Sequence, residues 1–325
     1  FTSIYETTEP MEEEASDPIS ALSSNGVIAL PNGRRYAVKH GKLDTSEGLD
    51  SVWRIATDAS DSWLATVVAN TWGTFRDIGK IRVGVKTCAD KIYIRSDWES
   101  LPVGEQPELL RPLTTHHIAR RFKALEANNQ QILYPHELAA GRRQPVNIDC
   151  YPRARAYLER HRAVLESRKY VIEAGRKWFE IWVPQDPGAW DAPKLVFRDI
   201  SEKPIFWIDQ HQTVVNGDCY WMIAERPENQ DLLWLAAATA NSTFAEAFYD
   251  HRFHNKLYSG RRRFITQYVE QFPIPDPNSQ LSRQIIDTAK AIYNNAGTPK
   301  ADDLEDALNW LVWQAFGFSV EEIRR

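Results

Sequence analysis

The chain has 325 residues, of which 43% are hydrophobic and 26% are charged, and its formal net charge is −5. This composition is ordinary for a soluble globular protein, and the length predicts about two domains. No apolar run reaches the roughly 20 residues of a membrane span, and no signal peptide opens the chain, so we expect no membrane partner. Its three cysteines, an odd number and far apart, form neither a disulfide framework nor a CxxC metal pair, which favours a cytoplasmic location.

The net charge hides an uneven distribution along the chain. Residues 1–25 contain six acidic side chains and no lysine or arginine, whereas residues 111–177 contain fourteen Lys and Arg against six Asp and Glu. The local sign of the charge decides whether a surface attracts a polyanion. The sequence is therefore compatible with a nucleic-acid-binding surface in the middle of the chain.

The first part of the chain, residues 1–75, does not look like a complete domain. Residues 1–25 are polar and acidic, which predicts a mobile arm. Short β-like runs and one apolar stretch follow, at residues 27–30, 36–38, 52–55 and 63–68. These runs are too few to close a domain, and the chain begins at Phe1 rather than at a methionine. We therefore interpret residues 1–75 as an acidic arm and the end of a preceding domain of a longer polypeptide.

A second part, residues 76–278, is predicted to be rich in β-strands. Alternating residues over 81–86, followed by an apolar run at 91–94, predict a strand pair. Further predicted elements are a helix at 152–169, strands at 178–183, 194–197 and 205–208, a hairpin at Asn216-Gly217 with its second arm at 219–223, and helices at 231–240 and 243–250. Thr243 and Glu246 have the spacing of a capping box.

The third part, residues 279–325, is predicted to be helical. Helices are expected at 281–294 and at 302–316, the latter ended by Gly317, with a short capped turn from Ser319 to Glu322. The fold class predicted from all three parts is α+β, with a β-rich domain followed by a helical segment.

Several basic residues are candidates for phosphate binding. Three consecutive arginines, Arg261, Arg262 and Arg263, follow Gly260, and guanidinium groups bind phosphate in a bidentate manner. Further candidates are Arg120 and Arg121, Arg142 and Arg143, and Arg176 and Lys177. Each of these groups could instead be an ordinary solvated surface charge. For reading of base edges, the candidates are Lys86, Thr87, Asp90, Gln130 and Gln131, and a second possible edge is Gln210, His211 and Gln212.

Two histidines raise the possibility of a nuclease or metal site. His251 and His254 lie near a predicted helix end and could share a metal ion. No HxxxH or PD-(D/E)xK pattern accompanies them, so we expect no metal site and interpret both as helix-end side chains.

The order of the motifs resembles a known family. Val83-Gly84-Val85-Lys86-Thr87-Cys88-Ala89-Asp90 is similar to the opening of the TaqI-like C-terminal specificity domain of adenine-N6 DNA methyltransferases, including those fused to restriction endonucleases. Cys88 stands where the family commonly has glycine. Later stretches follow in the order of the family, at residues 109–113, 118–122, 132–135, 176–180, 194–197, 241–242, 272–275 and 309–323. The resemblance covers the chain from about Phe75 to its end.

The resemblance implies a module that recognises a site in double-stranded DNA. It also implies an N-terminal catalytic methyltransferase domain of α/β fold in the same polypeptide, whose end residues 1–75 would include, and S-adenosylmethionine as the cofactor of that parent enzyme. The sequence contains no Pro-Pro pair, hence no Asn-Pro-Pro-Tyr motif, and no FxGxG. We therefore expect no cofactor in this chain and no methylation by it alone. The alternative is a module that docks a partner subunit without contacting DNA.

Overall fold

The computed structural model describes residues 2–319 except 11–12, 15–16, 45–53, 57, 126–128 and 254–260. The chain forms two compact units. The N-terminal unit comprises Phe1–Ala69 with Phe248–Asn255, and the main unit comprises Asn70–Ala247 with Lys256–Arg325. Gly260, His254 and the end of the predicted turn at Glu322 lie outside the described residues.

The N-terminal unit is built around a four-stranded sheet in the order β1-β4-β3-β2. Its elements are β1 Thr2–Glu6, β2 Glu13–Glu14, α1 Pro18–Ser23, β3 Gly26–Ala29, β4 Arg35–His40, β5 Lys42–Asp44, β6 Arg54–Ala56 and α2 Asp58–Ala69. The prediction of a mobile arm is wrong for the described part of residues 1–25. Strand β1 pairs antiparallel with β4, from Thr2 opposite His40 to Glu6 opposite Tyr36. Pairing satisfies the backbone while the acidic side chain of Glu6 stays exposed, so the charge does not prevent strand formation.

The main unit contains two four-stranded sheets, in the orders β17-β10-β11-β9 and β16-β14-β18-β8. Its strands are β7 Gly73–Thr74, β8 Arg82–Val83, β9 Ile94–Arg95, β10 Leu110–Thr114, β11 Gln131–Leu133, β12 His136–Ala139, β13 Arg142–Pro145, β14 Lys194–Arg198, β15 Ile200–Ser201, β16 Phe206–Asp209, β17 Val214–Val215, β18 Cys219–Met222, β19 Arg262–Arg263 and β20 Pro273–Ile274. Both four-stranded sheets contribute to one hydrophobic core, which includes Leu113 and Val214 from the first sheet and Val196, Trp207 and Trp221 from the second.

Helices complete the fold. They are α3 Phe75–Ile78, α4 Asp90–Tyr93, α5 Pro152–Arg160, α6 Arg162–Glu166, α7 Lys169–Glu173, α8 Gln230–Asn241, α9 Thr243–Phe253, α10 Thr266–Val269, α11 Gln280–Asn294 and α12 Pro299–Ala315. The predicted mixture of helices and strands is confirmed, as are α8, α9, α11 and α12. Gly317 has the positive φ of +83° expected after the last turn of a helix.

The predicted helix over residues 152–169 is broken into α5, α6 and α7. The break at His161 occurs where its N–H donates to the carbonyl oxygen of Leu158, which tightens the last turn. A second break follows at Arg168, whose buried guanidinium donates to the carbonyl oxygens of Thr87 at 2.9 Å and Trp178 at 2.7 Å. These tertiary hydrogen bonds outweigh the amphipathic periodicity of the segment.

The predicted strand pair at 81–86 and 91–94 is wrong. Strand β8 pairs with β18, while β9 pairs with β11. Between them, the Thr87 hydroxyl donates to the Asp90 carboxylate and accepts from the N–H of Ala89 at 2.9 Å. This local hydrogen bonding turns the chain into helix α4 instead of a hairpin. Cys88 adopts a φ of +54°, which explains physically why a glycine suits this position.

The predicted hairpin at Asn216-Gly217 is also wrong. Strand β17 pairs in parallel with β10, whereas β18 pairs antiparallel with β14 and β8. The Asn-Gly turn therefore passes the chain from one sheet to the other.

The predicted strand at 178–183 is wrong except at Val183, which forms an isolated bridge with Lys86. Local hydrogen bonds fold the start of the segment into a turn, because the N–H of Lys177 donates to the Glu180 carboxylate at 2.8 Å. Strands β14 and β16, predicted at 194–197 and 205–208, are confirmed.

Candidate nucleic-acid interface

A surface loop after α7 holds an arginine on an aromatic platform. The guanidinium of Arg176 lies 4.8 Å from the centre of the Trp182 ring and donates to the carbonyl oxygens of Ile181 and Trp182. Tyr170, which is 42% exposed, packs edge-on against Trp182 with ring centres 5.0 Å apart. Because both the cation and the ring are fixed, this group can meet an anion without first losing side-chain entropy.

The hairpin of β12 and β13 brings two further arginines to the same loop. Arg143 donates from Nη1 to the carbonyl oxygen of Gln185 at 3.2 Å, and the neighbouring Arg142 is exposed. His136, on the other strand, accepts from the N–H of Ile181 at 3.1 Å through Nε2. Burial lowers the pKa of His136 to about 3, and the positive charges of Arg143 and Arg176 lower it further.

Lys86 joins these arginines from a third region of the chain. Its backbone N–H donates to Val183 and its carbonyl oxygen accepts from Val183, at 3.0 and 2.9 Å, and its side chain is exposed. We name as the basic cluster the five residues Lys86, Arg142, Arg143, Arg176 and Lys177. Among the described residues, no carboxylate forms an ion pair with any of them. The structure thus ties Lys86, Arg143 and Arg176 to the loop of residues 181–185, and Arg142 and Lys177 are their neighbours in sequence.

The three-arginine segment at 261–263 is arranged differently from the prediction. Arg262 is only 7% exposed, donates to the carbonyl oxygen of Glu202 at 2.8 Å, and pairs with Glu246 at 3.5 Å. This geometry holds the guanidinium inside the protein, so Arg262 is removed from the set of phosphate ligands that we propose. Arg263 is exposed but pairs with Asp199 at 3.3 Å, and Arg261 is exposed.

Arg120 and Arg121 lie beside the C-terminal helices. Arg121 pairs with Glu305 of α12 at 2.9 Å and donates to the carbonyl oxygen of Asn241, while Arg120 is exposed. Both residues line a groove of about 990 Å³ together with Arg198 and Lys203. Within the described ranges, no hydrogen bond or ion pair connects them to the basic cluster.

The predicted base-reading residues are scattered. Thr87 is fully buried and bonded to Asp90, so it shapes the turn and is removed from the proposed reading set. Gln131 lies in β11 between β9 and β10, and the carbonyl oxygen of Gln130 accepts from Leu113 in the same sheet. Of the five candidates, Lys86 alone belongs to the basic cluster.

A histidine–aspartate pair was not singled out by the sequence as a reading site. His116 Nδ1 lies within hydrogen-bond distance of the Asp218 carboxylate, and their side chains are 38% and 29% exposed. The ring of His117 lies 3.9 Å from that of His116. The two partners are 102 residues apart, and the parallel pairing of β10 with β17 brings them together. No local sequence pattern signals such a contact.

Of the two histidines considered as metal ligands, His251 lies within the described residues and His254 does not. The contacts of His251 explain its position without a metal ion. The His251 ring stacks on Trp63 at 4.6 Å, and its Nδ1 lies 3.2 Å from the Ser60 hydroxyl. In the part of the chain that the structure describes, no three His, Cys, Asp or Glu side chains are grouped as metal ligands. The same part contains no helix with the length and apolarity needed to cross a bilayer.

Comparison with known proteins connects this chain to a family. Residues 146–274 match the model of the TaqI-like C-terminal specificity domain. The type II methyltransferase M.BanIII of Aneurinibacillus aneurinilyticus is 37% identical over 98% of this chain and 56% of its own length. The type II methyltransferase M.PaeR7I of Pseudomonas aeruginosa is 26% identical over 94% of this chain and 53% of its own length. The chain thus spans about half the length of these curated relatives.

A solved structure shares the fold. The type IIL restriction-modification enzyme MmeI, in complex with DNA, matches with a TM-score of 0.56 at 15% identity, over 90% of this chain and 38% of that chain. The matched family segment contains Arg176, Lys177 and strands β14 to β18. The resemblance stated from the sequence is confirmed by the match of residues 146–274 to the model of the TaqI-like C-terminal specificity domain.

Proposed function

We propose that this chain binds double-stranded DNA and selects the site at which a methyltransferase domain of the same polypeptide acts. The basic cluster carries the proposal, because none of its five cations has a carboxylate partner among the described residues and three of them, Lys86, Arg143 and Arg176, are held at the loop of residues 181–185. A polyanion releases its counterions when such a surface binds, which provides sequence-independent affinity. Phosphate contacts of this kind also fix the register in which other residues read the bases.

The proposed modification is methylation of adenine at N6, with S-adenosylmethionine bound by the catalytic domain. Methyl transfer is supported by the names of the curated relatives, and the choice of adenine N6 and of the cofactor rests on the resemblance of the sequence to the TaqI-like family. The residues of this chain do not fit the cofactor, since the sequence has neither FxGxG nor Asn-Pro-Pro-Tyr. We therefore assign no step of methyl transfer to these residues. The cysteines Cys88, Cys150 and Cys219 are free thiols, which suits a reducing cytoplasm.

The test is a binding titration of the 325-residue chain with a fluorescent duplex at low salt. The double variant Arg142→Ala/Arg143→Ala should weaken binding by about tenfold, because a guanidinium that no longer neutralises a phosphate no longer releases its counterion. The control is Arg155→Ala/Arg160→Ala, which removes the same charge from arginines paired with Asp149 and Glu105. The control should bind almost as tightly as the wild type.

Two outcomes would contradict the proposal. An equal loss of affinity in both double variants would show that only net charge matters and that the basic cluster is not the surface that meets DNA. Failure of the wild-type chain to bind duplex DNA at low salt would reject DNA recognition and favour a protein-docking module.

A further inference from the structure

The turn at Asn216-Gly217 forms a rigid junction of three backbone segments. The Asn216 N–H donates to the carbonyl oxygen of Thr114 at 2.8 Å, and the Val85 N–H donates to Val215 at 2.7 Å. A side chain at Gly84 would overlap the carbonyl oxygen of Asn216, and a Cβ at Gly217 would lie 2.7 Å from the Val85 carbonyl oxygen. The segments are thus in direct backbone contact, which leaves little freedom for the groups that they carry.

Polar side chains from each segment surround this junction. The exposed Lys86 comes from the first segment, His116 follows the second, and Asp218 comes from the third. A Cβ at Gly217 would lie 2.9 Å from Cγ of Lys86, so the lysine stem passes directly over the turn. We name Lys86, His116, Asn216 and Asp218 the junction site.

Two buried polar atoms next to His116 have no partner among the described residues. They are the hydroxyl oxygen of Thr115, a residue that is 3% exposed, and Oδ1 of Asp218. Buried polar groups in folded proteins are nearly always hydrogen-bonded, to protein or to ordered water. Their position beside a partly exposed His–Asp pair indicates that a polar ligand or its bridging water belongs here.

We propose that the junction site reads base edges in the major groove of duplex DNA and that His116 is a specificity-determining residue. This inference rests on the proposed function and deepens it, since the arginines of the basic cluster account only for affinity. Lys86 supplies a donor suited to the N7 and O6 acceptors of guanine. His116 keeps a ring nitrogen, Nε2, that Asp218 does not bind, while Asp218 acts as a positioning residue through Nδ1.

The geometry separates this role from phosphate binding. A carboxylate repels a phosphate, so Asp218 disfavours the DNA backbone at the junction site. Lys86 also belongs to the basic cluster through its backbone ladder with Val183. Phosphate contacts of the arginines of the basic cluster would therefore leave Lys86 and His116 to meet the base edges, where the lysine donor favours guanine.

The test is a binding selection from a random 20-base-pair duplex library with the 325-residue chain, followed by sequencing. The His116→Ala variant should flatten the preference at one base pair of the selected motif by about tenfold, while the other positions and the affinity for unselected DNA stay within about twofold. Asp218→Asn should weaken the same position, which a merely structural residue would not do selectively. Lys86→Ala should affect that base pair or its neighbour, and its exposed side chain makes a folding defect unexpected.

His40→Ala is the control, because it removes an exposed imidazole that belongs to none of the candidate binding sites. It should leave the motif unchanged, and thermal melting should show that every variant is folded. If His116→Ala selects the wild-type motif with equal enrichment, or if His40→Ala loses the same base pair, the inference is overturned while DNA recognition stands. If the wild-type chain binds no DNA, the proposed function itself fails.

Discussion

The basic side chains of Lys194, Arg168 and Arg262 are buried inside the fold. Lys194 shows most clearly what such a side chain does. The Lys194 ammonium is fully buried, pairs with Asp209 at 3.1 Å and donates to the carbonyl oxygen of Trp190 at 2.9 Å. Burial lowers the pKa of Lys194, and the opposing charge of Asp209 raises it in part. Because Lys194 and Asp209 are paired across β14 and β16, the ion pair fixes the register of these strands.

Arg262 is buried and its neighbour Arg261 is exposed, so their replacement should affect stability to different extents. Arg262→Ala should lower the free energy of unfolding by about 2 kcal/mol, because it leaves the partly buried Glu246 carboxylate without that cation. Arg261→Ala, at an exposed position, should change it by less than about 0.5 kcal/mol. Urea unfolding followed by tryptophan fluorescence measures both. An equal change in the free energy of unfolding in both variants would mean that Arg262 does not stabilise the fold.

His136 gives a pH prediction for the main unit. Its pKa is lowered from 6.5 to about 3 on folding, chiefly by burial, so the unfolded chain binds more protons between these values. Stability is therefore fully present above about pH 6.5 and falls by up to about 1.4 kcal/mol per pH unit as the pH drops toward 3. Between pH 7 and pH 5 this group should cost the wild type about 2 kcal/mol.

The control for this prediction is His136→Gln, which lacks the titrating ring. The variant should lose about 2 kcal/mol less than the wild type over the same pH interval in urea unfolding, whatever its stability at pH 7. An identical pH dependence of the two proteins would show that His136 is not buried in the neutral form.

At the scale of elements, local periodicity predicted some structure well and failed where tertiary contacts choose the partner. Helices α11 and α12 were predictable because each has enough residues for a buried face to appear in the sequence, and α8 because ten consecutive residues of it are buried and form a long, mostly apolar run. The strand that pairs with β17 was not predictable, because an Asn-Gly pair specifies a turn but not the sheet to which each arm belongs. The helical turn at Asp90 was missed because the side chain of Thr87 decides it.

The junction at Asn216-Gly217 gives a prediction about glycine. Gly84→Ala should destabilise the main unit by about 2–3 kcal/mol, because the added carbon overlaps a backbone carbonyl that cannot move away. Gly104→Ala is the matched control, since a Cβ there meets nothing within 4 Å. Chemical unfolding of the two variants measures the difference. A Gly84 variant as stable as the Gly104 variant would contradict the close approach of the segments.

The candidate site was predictable in its residues but not in its assembly. The arginine pair at 142–143 and the basic pair at 176–177 were evident as charged groups along the chain. Their convergence depends on the hydrogen bond from Arg143 to Gln185 and on the stacking of Arg176 on Trp182, which are tertiary contacts. Burial removed Arg262 and Thr87 from the proposed set, and burial is not visible in a charge pattern.

At the scale of the whole molecule, a net charge of −5 coexists with a basic surface, so association with DNA should depend strongly on salt. A plot of log binding constant against log salt concentration should be less steep for Arg142→Ala/Arg143→Ala than for the wild type by about 2, because each arginine neutralises one phosphate. Titrations at four or more salt concentrations give the slopes. Parallel lines would mean that neither arginine touches a phosphate.

The β12–β13 hairpin and the Asn216-Gly217 turn differ in whether they can accept inserted residues. This difference limits how the chain can come to recognise a new DNA sequence. A Cβ at Gly141, at the tip of the hairpin, meets no atom within 4 Å, whereas Gly217 lies between backbone groups. Extra residues are therefore tolerable at the hairpin tip, where they would lengthen the reach along a duplex. At the turn, a single inserted residue would displace both sheets at once. Variation there is restricted to exchange of side chains, and a designer who seeks altered specificity should mutate positions 116 and 218 while preserving chain length.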